Sequence, residues 1–135
     1  MLKKVLVVDD ELSSCEILRE FLMGQGYETL MALSGDEALE TYQRERPDLV
    51  LLDIRMPDKD GLETLREIKA LDPDADVVMV TALHEKEMGL KAMVEGAFDY
   101  VTKPLDCRYL DLVLKAMNVD MTARHRMEAK EGVRA

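Results

Sequence analysis

Four consecutive apolar residues, Leu49-Val50-Leu51-Leu52, run directly into Asp53, and Pro57 follows four residues later. A run this short and unbroken has no polar face to turn to water. It reads as a strand covered on both faces, the condition of a parallel sheet between two layers of helices. Asp53 then stands at the carboxyl end of a central strand, where open α/β sheets gather their ligands. A carboxylate there is costly unless it is paired, so it is either a functional group or a liability.

The same grammar recurs along the chain. Val5-Leu6-Val7-Val8 ends in Asp9-Asp10-Glu11, Val77-Val78-Met79-Val80 closes on Thr81-Ala82, and Phe98 to Thr102 leads into Lys103-Pro104. Tyr27 to Ala32 reads as a further short strand. Between these runs the apolar spacing turns helical: Leu12, Cys15, Leu18 and Leu22; then Ala38, Leu39 and Tyr42; then Leu62, Leu65, Ile68 and Leu71; and last Leu110, Leu114, Met117 and Met121. Ser34-Gly35-Asp36-Glu37 has the form of a capping box opening the second helix, and Pro47 closes it off. Asp58-Lys59-Asp60-Gly61 reads as a loop, and residues 85–95 as a weakly amphipathic helix stopped by Gly96.

Five strands alternating with five helices through short connections require right-handed parallel crossovers. The expected fold is α/β and flavodoxin-like, a (βα)5 three-layer sandwich whose parallel five-stranded sheet has the order 2-1-3-4-5. Residues 1–119 are expected to form this body. In residues 120–135 the apolar stripe fades toward Arg124 and Glu128, leaving either an extension of the fifth helix as a linker or a disordered tail.

Composition narrows the class. A net charge of −10 disfavours nonspecific binding to nucleic acid or membrane by this segment. Cys15 and Cys107 form no CxxC and no His/Cys cluster, so neither zinc nor a disulfide framework is implied, and both are expected as buried free thiols. His84 and His125 have no metal-spaced partners and read as surface side chains. The ten methionines read mostly as core filler, with Met88 and Met93 as candidates for a partner surface. The four apolar residues before Asp9 are too few for a signal peptide, and no run approaches membrane-spanning length. A cytoplasmic protein is expected.

Parallel strands bring all their carboxyl ends to one edge. Asp9, Asp10, Asp53, Thr81 and Lys103 therefore converge on one crevice. Three crowded carboxylates repel one another and invite a cation, and an all-oxygen set suits Mg²⁺ or Mn²⁺. A divalent ion beside a carboxylate, a lysine and a threonine is equipment for phosphoryl transfer, with Asp53 as the nucleophile. Taken singly, each feature has a plainer reading: acids at a helix start, a turn aspartate, a β-branched strand residue. Their arrival at successive strand ends is what speaks for chemistry.

Over roughly residues 3–118 the chain resembles the receiver domain of bacterial two-component response regulators, through Asp9-Asp10, Asp53-Ile54-Arg55-Met56-Pro57, Thr81-Ala82 and Lys103-Pro104. The resemblance is strongest to receivers that precede an AAA+ module in transcription activators. It implies that Asp53 accepts a phosphoryl group from a histidine kinase or phosphotransfer protein, with Mg²⁺ held by Asp10, Asp53 and the Arg55 backbone carbonyl while Asp9 assists. It also implies that Lys103 contacts the phosphate, that the Lys103–Pro104 bond is cis, and that Thr81 and Tyr100 form the switch. Arg55 and Leu83 occupy the positions that tune phosphoryl lifetime, and neither is suited to orienting an attacking water. In such a receiver, phosphorylation switches the surface of helix 4, strand 5 and helix 5 and with it dimerisation or an output domain absent from these residues.

Other functions fit less well. A phosphatase of the haloacid dehalogenase type needs a second aspartate where Arg55 stands, and an arginine cannot act as general acid there. A flavodoxin-like nucleotide binder wants a Gly/Ser/Thr-rich loop where Asp9-Asp10-Glu11 places negative charge. The remaining alternative, a receiver-like interaction module that works without phosphorylation, would be expected to lack an acid or the lysine, and none is missing.

Overall fold

The structure is a computed structural model that describes residues 2–82 and 85–134, with side chains described through Arg124. Strands β1 (Lys4–Val8), β2 (Glu28–Ala32), β3 (Leu49–Asp53), β4 (Val77–Ala82) and β5 (Asp99–Lys103) alternate with helices α1 (Leu12–Gly24), α2 (Gly35–Glu45), α3 (Gly61–Leu71), α4 (Lys86–Val94) and α5 (Cys107–Arg134). The strands form one sheet in the order β2-β1-β3-β4-β5, and every pairing is parallel. The expected flavodoxin-like architecture is the one found.

The apolar runs explain the order. All five residues of β3 are buried, because β1 and β4 flank it and helices cover both of its faces. Alternation then splits the core in two. Val5, Val7, Leu49, Leu51, Val78 and Val80 pack under α1 and α5, whereas Leu6, Val8, Val50, Leu52, Val77 and Met79 pack under the α2–α4 layer. Each fully buried aliphatic side chain contributes roughly 1.5–3 kcal/mol, so β3 alone makes a large share of the stability. Edge strands β2 and β5 are only partly buried and correspondingly less apolar.

The helix starts show their chemistry. Ser34 accepts from the Glu37 N–H at 3.1 Å, as a capping box requires. The Glu37 carboxylate turns one residue further back and accepts from the Leu33 N–H. Asp60 caps α3 by accepting from the Glu63 N–H at 2.8 Å. Helix α5 buries Leu110, Leu114, Met117 and Met121 as the spacing predicts, then continues as helix to Arg134.

Several residues depart from expectation. Leu12 and Leu71 are 50% and 40% exposed. They are the first and last residues of their helices, where the stripe has already run past the sheet it covers. Cys107 is exposed, not buried, at the start of α5, while Cys15 is buried; both are free. Met79, Met117 and Met121 are core, Met88 packs partly against it, and Met93 is exposed. Leu83, His84 and the side chain of His125 lie outside the described residues.

Candidate functional site

The carboxyl edge of the sheet collects the acids. β1 delivers Asp9 and Asp10 just beyond its last residue, and β3 delivers Asp53 as its last. Asp9 and Asp53 are buried and Asp10 is exposed, and each brings a carboxylate oxygen within 4.8 Å of the others. Asp9 is oriented by the Glu11 N–H, which donates to its Oδ1 at 3.0 Å. The Arg55 N–H approaches Asp53 Oδ1 at 3.4 Å.

One cation bridges the pair. Lys103, at the end of β5, donates from Nζ to Asp9 Oδ2 and to Asp53 Oδ2, both at 3.2 Å. Burial, and after it the charge of Asp9, pushes the Asp53 carboxyl above its ordinary value, while Lys103 pulls the other way. Burial also opposes the charge on Lys103, but the Asp53 and Asp9 carboxylates outweigh it and hold the ammonium's pKa above its usual value. The Lys103–Pro104 peptide is cis.

Three carboxylates against one ammonium leave the cluster short of positive charge. An all-oxygen set with an exposed member and no nitrogen or sulfur donor fits a hard divalent cation that keeps some of its waters. Beside the cluster a cleft of about 250 Å³ is lined by Asp9, Ser14, Ile17, Leu18 and the Lys103–Leu105 segment. A cavity of about 310 Å³ at the opposite edge, around Tyr42, Asp72 and Arg124, is remote from this chemistry, and ion pairs join Arg46 to Asp72 and Arg124 to Asp76 there.

Thr81 is buried near the end of β4. Its hydroxyl lies 3.1 Å from the Glu85 carbonyl oxygen and 3.2 Å from that of Ala82, so its proton points into the β4–α4 connection. Tyr100 is partly buried, and its ring rests on α4 at Gly89, where a Cβ would meet ring carbons at 2.9–3.3 Å. The Arg55 side chain leaves the crevice and pairs with Glu85.

Four residues escaped the sequence reading. A Cβ at Gly61 would stand 2.4 Å from the Asp53 carbonyl oxygen, so glycine lets α3 close on the end of β3. Asp58 accepts from the N–H groups of Gly35 and Asp36, both at 3.2 Å, and so ties the β3–α3 loop to the start of α2. Lys59 strengthens that tie through Asp36 and Glu67. Glu85 is a buried acid at the N-cap of α4. Only Gly61 carried a local signal, a glycine directly after the capping Asp60; each of the others has a partner more than 20 residues away, where spacing says nothing.

Comparison with known proteins agrees with this geometry. The family model described as the response regulator receiver domain matches residues 5–115. The chain belongs to that family. It is 46% identical over 111 residues to the transcriptional regulatory protein ZraR of Escherichia coli K12, covering 82% of this chain and 25% of that protein. It is 36% identical over 119 residues to the chemotaxis protein CheY of Bacillus subtilis, covering 87% of this chain and 97% of CheY. Among solved structures, NtrX from Brucella abortus superposes with a TM-score of 0.88 at 34% identity, over 95% of this chain and 29% of that one. The chain thus spans a quarter of ZraR but nearly all of CheY. No helix among the described residues is long and apolar enough to cross a membrane.

Proposed function

We propose that this chain is a phospho-accepting receiver of a two-component system, in which Asp53 takes a phosphoryl group from the phosphohistidine of a sensor kinase or phosphotransfer protein. The observation that carries the reading is the Lys103 ammonium shared between Asp9 and Asp53 at 3.2 Å, beside a third carboxylate. An Asp53 oxygen attacks phosphorus, the P–O bond forms as the P–N bond breaks, and the freed imidazole takes up a proton. Lys103 then follows the negative charge from carboxylate to phosphoryl oxygen. Bound Mg²⁺, with Mn²⁺ as a substitute, supplies neutralising charge to those oxygens; Asp9, Asp10, Asp53 and the Arg55 backbone carbonyl would hold it.

The chain catalyses only its own phosphorylation and dephosphorylation, in the cytoplasm. Thr81 turns from the Glu85 carbonyl toward the new phosphoryl group, Tyr100 follows, and the surface of α4, β5 and α5 changes partners. With Arg55 and Leu83 at the positions that would orient a water, the phosphoryl group is persistent. Residues 1–119 form the receiver body, and residues 120–135 carry its state to a second copy or to an output domain like those of the transcription regulators it resembles.

Incubation with acetyl phosphate tests this reading. The expected result is one phosphoryl adduct per chain that requires Mg²⁺ and is released by neutral hydroxylamine, as an acyl phosphate is. A folded chain that gains no adduct would instead be an interaction module that works without phosphorylation.

A further inference from the structure

We infer that Glu85 is the resting-state counter-ion of the acceptor site, a positioning residue whose carboxylate occupies Arg55 until a phosphoryl group competes for it. The inference rests on the phosphoacceptor reading above.

Glu85 is 6% exposed, and a carboxylate so placed is destabilising unless a cation comes to it. Arg55 comes to it and donates from Nε to Glu85 Oε1. Arg55 lies two residues after the acceptor, its side chain is 77% exposed, and its own N–H approaches Asp53 Oδ1. A largely solvent-facing arginine therefore pairs with a buried acid, joining the β3–α3 loop to the start of α4. The Glu85 backbone carbonyl accepts from the Thr81 hydroxyl at 3.1 Å. Lys103 already sits on Asp53, whereas Arg55 and Thr81 both end on Glu85.

A phosphoryl group on Asp53 changes the balance between two anions. It brings a charge of about −1.5 to −2 and three acceptor oxygens, against one charge on Glu85. Guanidinium groups pair with phosphate through two parallel N–H donors, a geometry that the single Nε contact does not use. Arg55 is within one side chain's length of the acceptor, so it can exchange partners without refolding the loop. Until it does, the resting pair lowers the apparent affinity of the site for a phosphoryl group by the fraction of time Arg55 is engaged.

Beryllofluoride, an acyl-phosphate mimic, is the probe, titrated with saturating Mg²⁺ and followed by ¹⁹F NMR. Glu85→Gln should bind it about fivefold tighter or better than wild type, a modest coupling for a two-state site. Adding Arg55→Gln to Glu85→Gln should abolish the gain, and Mg²⁺ affinity alone should be unchanged in Glu85→Gln. A merely structural ion pair would give the reverse, a weaker or unaltered site. Wild-type affinity in Glu85→Gln, or a gain that survives loss of Arg55, overturns the inference. Glu85→Met, apolar and of similar volume, replaces Glu85→Gln if that variant does not fold; failure of both to fold also overturns it, because the pair would then be a requirement of the fold. A wild-type chain that binds no beryllofluoride at all contradicts the phosphoacceptor reading itself and carries this inference down with it.

Discussion

Gly61 and Asp53 are in contact that only a hydrogen at the glycine Cα permits: a Cβ there would stand 2.4 Å from the Asp53 carbonyl oxygen and 2.7 Å from the Ile54 Cα. The Gly61 N–H also donates to the Ile54 carbonyl at 2.6 Å. The obstacles are backbone atoms, which cannot swing aside as a flexible side chain can. Gly61→Ala is therefore expected to cost about 2–4 kcal/mol and to weaken phosphoryl uptake together with stability. Urea unfolding and the initial rate of adduct formation check both, and wild-type values in either would contradict the close approach.

Asp53→Asn should unfold at a higher temperature than wild type when Mg²⁺ is absent. Burial and Asp9 raise the folded-state pKa of Asp53 above the ordinary value of 3.8. The unfolded chain therefore ionises this group first, and the stability held by the protonated form below that value is lost as pH rises through the folded pKa. At neutral pH the substitution removes that loss, for a gain of ~2–5 °C, and the gain should vanish in acid. Saturating Mg²⁺ should reverse the order, since it stabilises only the chain that binds it. Scanning calorimetry at pH 3 and pH 7, with and without the ion, reads all four conditions.

The two thiols should behave differently. Cys15 is buried and donates to the Asp9 carbonyl at 3.4 Å, and burial, with the Asp9 charge behind it, pushes its pKa up to about 11. Cys107 is exposed. A thiol reagent at pH 8 should label Cys107 within minutes and reach Cys15 only on unfolding. The raised value also means that stability present below the thiol's ordinary value of 9.0 is lost between there and about 11. Cys15→Ala should flatten that alkaline loss, and denaturation midpoints from pH 8 to 11 would show it.

Arg124 ties the continuation of α5 to the body of the domain. Its Nη2 meets Asp76 Oδ2 at 2.8 Å, and the Asp76 carboxylate is largely buried. Arg124→Ala should cost on the order of 1 kcal/mol, less than a fully buried pair because the arginine is partly exposed. Hydrogen exchange should quicken in α5 after Met117 with little change in β1 or β3. Unaltered protection there would show that the pair does not anchor the helix.

How much of this was legible in the sequence depends on distance along the chain. The five strands and the edge bearing Asp9, Asp10, Asp53, Thr81 and Lys103 could be read because a strand covered on both faces is a local apolar run and its end is where that run stops. The α5 seam through Leu110, Leu114, Met117 and Met121 was legible for the same reason. Leu12 and Leu71 misled because helical spacing does not reveal where the sheet beneath a helix ends. Cys107 misled because a thiol's usual burial is a tendency of composition, not of position. Asp58 and Glu85 were silent: their partners Gly35, Asp36 and Arg55 lie more than 20 residues away, brought near only by the finished fold.

The most direct test of the central claim compares wild type with Asp53→Asn by intact-mass spectrometry after incubation with acetyl phosphate and Mg²⁺. The account predicts a single phosphoryl adduct on the wild type, none on Asp53→Asn, and none on either chain when the ion is chelated. An adduct of equal yield on Asp53→Asn, or a folded, Mg²⁺-bound wild type that gains nothing, would contradict it.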